Sequence, residues 1–325
     1  MIARRIVLAS LFAAGIGLAA VGPAAAQPYP NHPIRMIVPF PPGGPIDTMA
    51  RLTAQQLTMR LGQQTVVENR PGAGSTIGQK VVAAADPDGY TLMFGSSGSL
   101  GVAPALYPNL HLEPLKMYAP VASVALLPHV MVVPNSVPAK TVKEFVAYAK
   151  ANPGKLNYGA GLGTPPHLLS TLFKVKAGID VVFIPYKGAA ASITDMLGGR
   201  TQYTIDGLVS LYPLIKDGKL RALGIARGER WPALPDVPTL PESGFPDFVI
   251  DAWTGVVAPA GTPPDIVAKL NRAINDGLKS PEMKTGLERF SAIAKPGSPQ
   301  DFTAFMQSEL PKWAGLVKLS GATAN

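Results

Sequence analysis

The feature that most limits the possible folds is a regular alternation of short apolar segments and amphipathic segments, separated by turns rich in glycine and proline. The first apolar segment spans residues 34–38, and in the next segment apolar side chains recur every three or four positions from residue 46. Strands that alternate with helices of this length predict parallel sheets joined by right-handed crossovers. The chain is therefore predicted to adopt an α/β fold.

The predicted strands are short runs of mainly apolar residues that end at turns. They cover residues 34–38, 65–68, 90–94, 130–133, 156–160, 181–184, 203–205, 221–226 and 253–257. The predicted helices cover residues 45–61, 76–85, 141–151, 165–177, 189–197, 263–279, 281–289 and 299–318. A length of 325 residues allows about two domains, and a hydrophobic share of 47% excludes a disordered chain.

Residues 1–26 are predicted to be a secretory signal peptide. Arg4 and Arg5 supply the positive start, an apolar run covers residues 6–20, and Ala24–Ala26 offer small residues for cleavage before Gln27. The apolar run is shorter than the about 20 residues that a membrane-spanning helix needs. The mature protein is therefore expected to be soluble and periplasmic, and the sequence does not distinguish the general export route from the twin-arginine route.

Charge and residue content exclude several classes of function. The net charge is +8, but the basic residues are scattered, so no nucleic-acid-binding surface is predicted. The chain has no cysteine, which excludes disulfides and thiol nucleophiles. None of its four histidines is paired at the spacing of metal ligands, so we expect no metal and no cofactor.

Four predicted strand-to-helix turns are rich in glycine, serine or threonine. In open parallel sheets, ligands bind beyond the carboxyl ends of the strands, and a helix N-terminus with free N–H groups favours an anion. A plain structural turn is the alternative interpretation for each, but their occurrence in both halves of the chain favours binding. The turns cover residues 42–47, 95–99, 159–167 and 185–189.

Two of these turns carry helix-start signals. Gly44 and Thr164 stand at predicted N-cap positions, each followed by a proline that suits the first helical position. Asp47 could contact a ligand, or it could only cap the first helical turn. No catalytic set is found: Ser99 breaks the G-x-S-x-G pattern at residues 95–99, and no pair of carboxylates suggests acid–base chemistry. The protein is therefore predicted not to be an enzyme.

Many segments in order resemble the extracytoplasmic solute receptors of tripartite tricarboxylate transporters, the Bug family. The resemblance covers nearly all of residues 29–321. Its segments are Tyr29-Pro30, Pro33–Arg35, Gly43-Gly44-x-x-Asp47, Ala50-Arg51, Val67–Gly74, Pro87–Leu92, Pro153–Tyr158, Gly163-Thr164, His167-Leu168, Pro185–Gly188, Lys219–Leu223, Leu234–Thr239 and Ala258–Pro263.

The resemblance implies a two-domain periplasmic-binding-protein fold of type II, a Venus flytrap with a hinge between its lobes. One domain is expected to comprise residues 27–125 and 251–325, and the other residues 126–250. The hinge is expected near Ser123–Leu126 and Trp253–Gly255.

Family members typically hold small carboxylates through backbone N–H groups and bridging waters, with little use of arginine. Carried onto this chain, the resemblance implies the ligand-binding residues Gly43, Gly44, Asp47, Ser96, Ser97, Gly163, Thr164, His167 and Asp206. Two departures leave the ligand's identity open: Thr171 stands where relatives often carry a glutamate, and Gly207-Leu208 replaces a more polar pair.

The implied function is a receptor that captures a small organic acid and delivers it to the membrane permease of a transporter. The alternatives are a loaded receptor that docks onto a signalling protein and, less favoured, an exported enzyme on the same fold. A monomer is the expected state. The acid, whether a dicarboxylate, tricarboxylate, amino acid or aromatic acid, is not predicted.

Overall fold

Eleven strands and eleven α-helices are found in residues 29–323, the part of the chain that the computed structural model describes. The predicted signal peptide, residues 1–26, lies outside this range. The strands are β1 (Ile34–Val38), β2 (Thr65–Asn69), β3 (Thr91–Ser96), β4 (Tyr118–Leu127), β5 (His129–Pro134), β6 (Leu156–Gly161), β7 (Val181–Tyr186), β8 (Thr204–Gly207), β9 (Leu220–Ile225), β10 (Ala252–Pro259) and β11 (Ile293–Ala294).

The helices occupy most of the connections between strands. They are α1 (Pro45–Leu61), α2 (Thr76–Ala83), α3 (Ala103–Leu106), α4 (Pro114–Met117), α5 (Val142–Ala151), α6 (Pro165–Ala177), α7 (Ala189–Leu197), α8 (Leu208–Lys216), α9 (Pro264–Leu278), α10 (Pro281–Arg289) and α11 (Pro299–Ser320). Shorter helical turns cover Ala73–Ser75, Ser97–Val102 and Pro108–Leu110. No helix within residues 29–323 has the length and apolar character that a bilayer crossing requires.

A six-stranded sheet, here called the first sheet, has the order β11-β4-β10-β3-β1-β2. Strand β1 pairs in parallel with β2 and β3, as the alternating pattern predicts. The prediction of parallel pairing is wrong for β10, which runs antiparallel to both β3 and β4. The reason is topological, since β10 returns from the middle of the chain and inserts between two strands that precede it. Strand β11, which the sequence does not predict, is antiparallel to β4.

Residues 129–225 form the strands of two smaller sheets, here called the second sheet group. Strand β5 lies between β8 and β9 and is antiparallel to both, so the prediction of parallel sheets is wrong for these three strands, whereas β6 and β7 are parallel as predicted. A bridge between Tyr158 and Tyr203 joins the two sheets. Helix α6 begins and ends at the residues that the sequence predicts, because Thr164 and Pro165 start it and Gly178, with φ of 59°, ends it.

Two long elements are absent from the sequence-based prediction. Strand β4 is largely buried on both faces, so its residues lack the polar–apolar alternation of a half-buried strand. Helix α8 contains Pro213, and an internal proline argues against a helix because it removes a hydrogen bond and clashes with the preceding turn.

The chain passes between the first sheet and the second sheet group where β4 leads into β5 and again just before β10. At the second crossing, just before β10, Arg227 Nε donates a hydrogen bond to Asp251 Oδ2 at 3.1 Å, and both side chains are mostly buried. The Ile250 N–H donates to the Ala226 carbonyl oxygen at 2.9 Å. Burial raises the pKa of Asp251 to about 6, although the Arg227 charge acts in the opposite direction.

The C-terminal helix α11 packs on both parts of the molecule. Phe302 and Met306, near its start, are buried with Trp253 of the first sheet. Trp313 and Leu316, further along, belong to the same apolar cluster as Phe173 of the second sheet group. The helix therefore joins the two parts in addition to the two chain crossings.

Alanine substitutions at two glycines test this packing, because they are expected to change the free energy of unfolding in opposite directions. A Cβ on Gly255 would clash with the Phe302 ring and lie 2.9 Å from the Ala122 carbonyl oxygen, so Gly255→Ala should destabilise the fold by about 1–3 kcal/mol. Gly315, on the exposed face of α11, has open space around it, so Gly315→Ala should stabilise by about 0.5–1 kcal/mol. Urea unfolding followed by circular dichroism measures both, and equal midpoints would contradict the packing described.

Candidate functional site

A cavity of about 400 Å³ lies where the first sheet and the second sheet group meet. The second sheet group contributes the β6–α6 turn. A Cβ on Gly163 of that turn would lie 2.9 Å from Leu106 of α3, which lies between β3 and β4 of the first sheet. The two parts are therefore in van der Waals contact beside the cavity. Its lining residues are Pro39, Phe40, Pro41, Pro71, Gly72, Gly74, Ser75, Gly98, Val102, Ala103, Leu106, Tyr107, Leu162, Gly163, Thr164 and Pro165.

The β1–α1 turn is shaped by one buried carboxylate. Gly43, with φ of 83°, donates its N–H to Asp47 Oδ2 at 2.9 Å. Arg51 Nε donates to the same oxygen at 3.0 Å, and Asn69 Nδ2 donates to Asp47 Oδ1 at 2.8 Å. Asn69 Nδ2 also donates to the Phe40 carbonyl oxygen, which fixes the chain just ahead of the turn. The Asp47 carboxylate thus ties α1, β2 and the turn together.

Asp47 is only 3% exposed, and both of its carboxylate oxygens are occupied by protein donors. Burial alone would raise the pKa of Asp47, but the hydrogen bonds from Arg51, Gly43 and Asn69 outweigh it and lower the pKa. Direct ligand contact by Asp47 stays a prediction, and this geometry favours the alternative in which Asp47 positions the turn.

The same bond shapes the β6–α6 turn from the second sheet group. Gly163, with φ of 72°, donates its N–H to His167 Nδ1 at 3.2 Å. In both turns the donor is a left-handed glycine, and the acceptor is the side chain four residues later, in the first turn of the helix. His167 is buried with its ring 4.1 Å from that of Phe183, and burial lowers its pKa. The neutral ring accepts at Nδ1, which leaves the proton on Nε2.

The two helix starts differ in the N–H groups that they leave free. At α1, no acceptor in the described part of the chain takes the main-chain N–H of Gly44, Ile46 or Asp47. These groups and the helix dipole form a site that favours an anion.

At α6 the supply of donors is smaller. Pro165 and Pro166 have no N–H, and the Thr164 N–H donates to the Gly161 carbonyl oxygen at 3.1 Å. Within the first helical turn, only the His167 N–H remains without an acceptor in residues 29–323. Of these two turns, the β1–α1 turn therefore has more free main-chain donors, whereas the resemblance implies that both turns contribute to binding.

The predicted serine wall is engaged in local bonds. The Ser96 N–H donates to Ser99 Oγ at 2.9 Å, and the Ser99 N–H donates to Ser96 Oγ at 3.4 Å, forming a reciprocal cap. Ser97 is 1% exposed. Gly98, rather than either predicted serine, lies on the cavity wall.

Asp206 is the second-last residue of strand β8 and does not line the cavity. Its Oδ1 accepts the Gly207 N–H at 2.6 Å. Burial raises the pKa of Asp206 to about 6, although the Gly207 N–H acts in the opposite direction. The carboxylate therefore changes its charge closer to neutral pH than an ordinary aspartate does.

Of the predicted site residues, Gly163 and Thr164 line the cavity, and the others do not. Sequence reasoning missed the apolar wall made by Phe40, Leu106 and Leu162. Leu162 could have been identified from the sequence, because it is a leucine between two glycines of a predicted turn. In the structure it is 55% exposed. Within residues 29–323, no three His, Asp or Glu side chains group as a metal site requires.

Comparison with known proteins gives a consistent result. The family model described as "Tripartite tricarboxylate transporter family receptor" matches residues 49–321. Protein BugT of Bordetella pertussis is 38% identical over 321 residues, and the match covers 98% of each chain.

Two solved structures of similar chains carry named ligands. The structure of Rpa4515 of R. palustris with adipate has a TM-score of 0.78 at 34% identity, covering 91% of this chain and 99% of that one. The structure of MatC of Rhodopseudomonas palustris with bound malate has a TM-score of 0.75 at 35% identity, covering 89% of this chain and 100% of that one. These similarities confirm the predicted α/β fold of two-lobed periplasmic solute-binding proteins.

Replacing Asp47 tests its role in shaping the turn. Asp47→Ala leaves three donors without their acceptor in a mostly buried place, so it should lower the free energy of unfolding by about 1–3 kcal/mol. Glu68→Ala is the matched control, because Glu68 only makes partly exposed pairs with Arg35 and Arg70, worth about 0–1 kcal/mol. Equal losses in urea unfolding would show that Asp47 does not hold the turn.

Asp206 predicts a pH dependence of stability. Its folded-state pKa of about 6 lies above the ordinary value of 3.8, so the folded chain keeps a proton that the unfolded chain has released. This contribution to stability is fully present below about pH 4 and is lost as the pH rises through about 6.

The Asp206→Asn variant should therefore show a smaller fall in melting temperature than the wild type between pH 4 and pH 7. Asp217→Asn serves as a control, because Asp217 is an exposed surface aspartate. Identical pH profiles for the wild type and Asp206→Asn would contradict the assignment.

Proposed function

The chain belongs to the tripartite tricarboxylate transporter receptor family, and on this premise we propose that it is a periplasmic receptor for a small organic carboxylate. It delivers this ligand to the membrane permease of such a transporter, and it has no catalytic role. The predicted signal peptide supports a periplasmic location, where a receptor of this kind meets its ligand.

The observation that carries the proposal is the meeting of two similarly built turns at one cavity. Residues 39–41 lie on the cavity wall, and the β1–α1 turn that follows them carries the free N–H groups of Gly44, Ile46 and Asp47. Gly163 and Thr164 of the β6–α6 turn lie on the same wall. Main-chain N–H groups at the start of a 17-residue helix can replace part of the hydration shell of a carboxylate. The adipate of Rpa4515 and the malate of MatC support a carboxylate as the ligand class.

Ligand capture proceeds through movement of two lobes. The first lobe comprises residues 27–125 and 251–325, the second comprises residues 126–250, and the hinge lies near Ser123–Leu126 and Trp253–Gly255. A ligand that contacts both turns binds the closed arrangement more tightly than the open one, so it shifts the population toward closure. Because α11 packs on both parts, its contacts must adjust when the lobes move.

Thermal melting with a panel of organic acids tests the function. A ligand at 100 times its dissociation constant should stabilise the protein by about 2.7 kcal/mol. The same concentrations of uncharged amides of these acids serve as the control. If no carboxylate shifts the melting temperature of protein freed of co-purified ligand, the proposed function is wrong.

The Gly44→Val variant tests whether the carboxylate binds at the first turn. Gly44 has an extended backbone, and a Cβ there has only the Pro41 oxygen nearby, at 3.9 Å, so the variant should fold. The branched side chain would cover the free N–H groups, and affinity measured by calorimetry should fall by at least about tenfold. Gly228→Val, at an exposed glycine with open space, is the control. A folded Gly44→Val protein with normal affinity would remove the first turn from the site.

A further inference from the structure

The wall of the cavity between the two parts carries no charged side chain among the described residues. Its side chains are mainly aliphatic or aromatic, including those of Phe40, Val102, Leu106, Tyr107 and Leu162. The remaining lining residues are prolines, glycines, an alanine and two short hydroxyl residues. A ligand in this cavity therefore meets an apolar surface away from the main-chain donors of the first turn.

Three hydroxyl side chains, those of Ser75, Tyr107 and Thr164, lie on the wall. Thr164 Oγ1 donates to the Gly161 carbonyl oxygen at 2.7 Å, and Ser75 Oγ accepts a hydrogen bond from Gln79 Nε2 at 3.3 Å. Neither bond involves another residue of the cavity wall. The hydroxyl groups of Ser75 and Tyr107 donate to no acceptor in the described residues, so the wall offers a second charged group two neutral donors and no cation.

The basic side chains near the cavity either pair with other residues or lie outside its wall. Arg51 donates to Asp47 and Asn69, and Arg70 pairs with Glu68. Lys187, in the exposed β7–α7 turn, does not line the cavity. An ionised carboxylate that meets this mainly apolar wall loses much of its hydration, and two neutral hydroxyl groups without a cation compensate only part of that loss.

The cavity is also larger than a carboxylate alone needs. Its volume of about 400 Å³ lies in the range of cavities that hold whole small molecules. Leu162 is 55% exposed on the wall, and covering this apolar surface favours binding of an apolar group.

We propose that the ligand carries a single carboxylate on an apolar body. This inference rests on the proposed function and narrows its ligand class. It separates this chain from Rpa4515 and MatC, whose structures hold the dicarboxylates adipate and malate.

Matched pairs of acids test the proposal by isothermal titration calorimetry on the ligand-free protein. Hexanoate and adipate share a six-carbon chain and differ by one carboxylate, and benzoate and terephthalate form an aromatic pair. Each monocarboxylate should bind at least about tenfold more tightly than its dicarboxylate partner. Equal or tighter binding of the dicarboxylates would overturn this inference alone, whereas failure of every carboxylate to bind would overturn the proposed function with it.

A charge placed on the wall should change the preference. In Leu162→Arg, the exposed position should tolerate the substitution, and the ratio of adipate to hexanoate affinity should rise by at least about tenfold. Val175→Arg is the matched control, since Val175 is 53% exposed on the C-terminal part of α6, and its ratio should stay at the wild-type value. An unchanged ratio in folded Leu162→Arg protein would show that Leu162 does not face the ligand and would overturn the proposal.

Discussion

The β1–α1 and β6–α6 turns both depend on one kind of hydrogen bond. In each turn a glycine with a left-handed backbone conformation donates its N–H to the side chain four residues later. Asp47 accepts it in the first turn and His167 in the second. The bond consumes the glycine N–H and holds the chain so that the helix begins at the following proline. Asp47 is further fixed by Arg51 and Asn69. The N–H groups that remain free are therefore held in place by the protein before any ligand arrives.

Signals within a few residues made much of the fold predictable. Helix α6 was placed correctly because Thr164, Pro165 and Gly178 determine its ends locally. Strand β4 could not be predicted in this way, since burial on both faces removes the alternation that marks a half-buried strand. The antiparallel position of β10 depends on strands more than a hundred residues earlier in the chain, and no local pattern encodes that pairing.

The site was less predictable than the fold for a similar reason. The glycines of both turns were identified from the sequence. The sequence did not show that protein donors already bind the Asp47 carboxylate, because its partner Asn69 lies 22 residues away. The wall formed by Leu106 exists only because the two parts of the molecule touch at Gly163. Contacts of this kind arise from tertiary packing, and they decide what chemistry the cavity can accept.

An uncharged cleft suits a receptor that must also release its ligand. A buried arginine paired with a carboxylate would be left as an uncompensated charge when the ligand departs, and this raises the free-energy cost of release. Main-chain N–H groups such as those of Gly44 and Ile46 carry only partial charges and are readily rehydrated when the cleft opens. Because the contacts to the ligand are individually modest in the proposed site, much of the selectivity falls to the apolar wall. Leu162 protrudes from the β6–α6 turn and does not belong to the apolar core of the second sheet group, so selectivity can change there without loss of the fold.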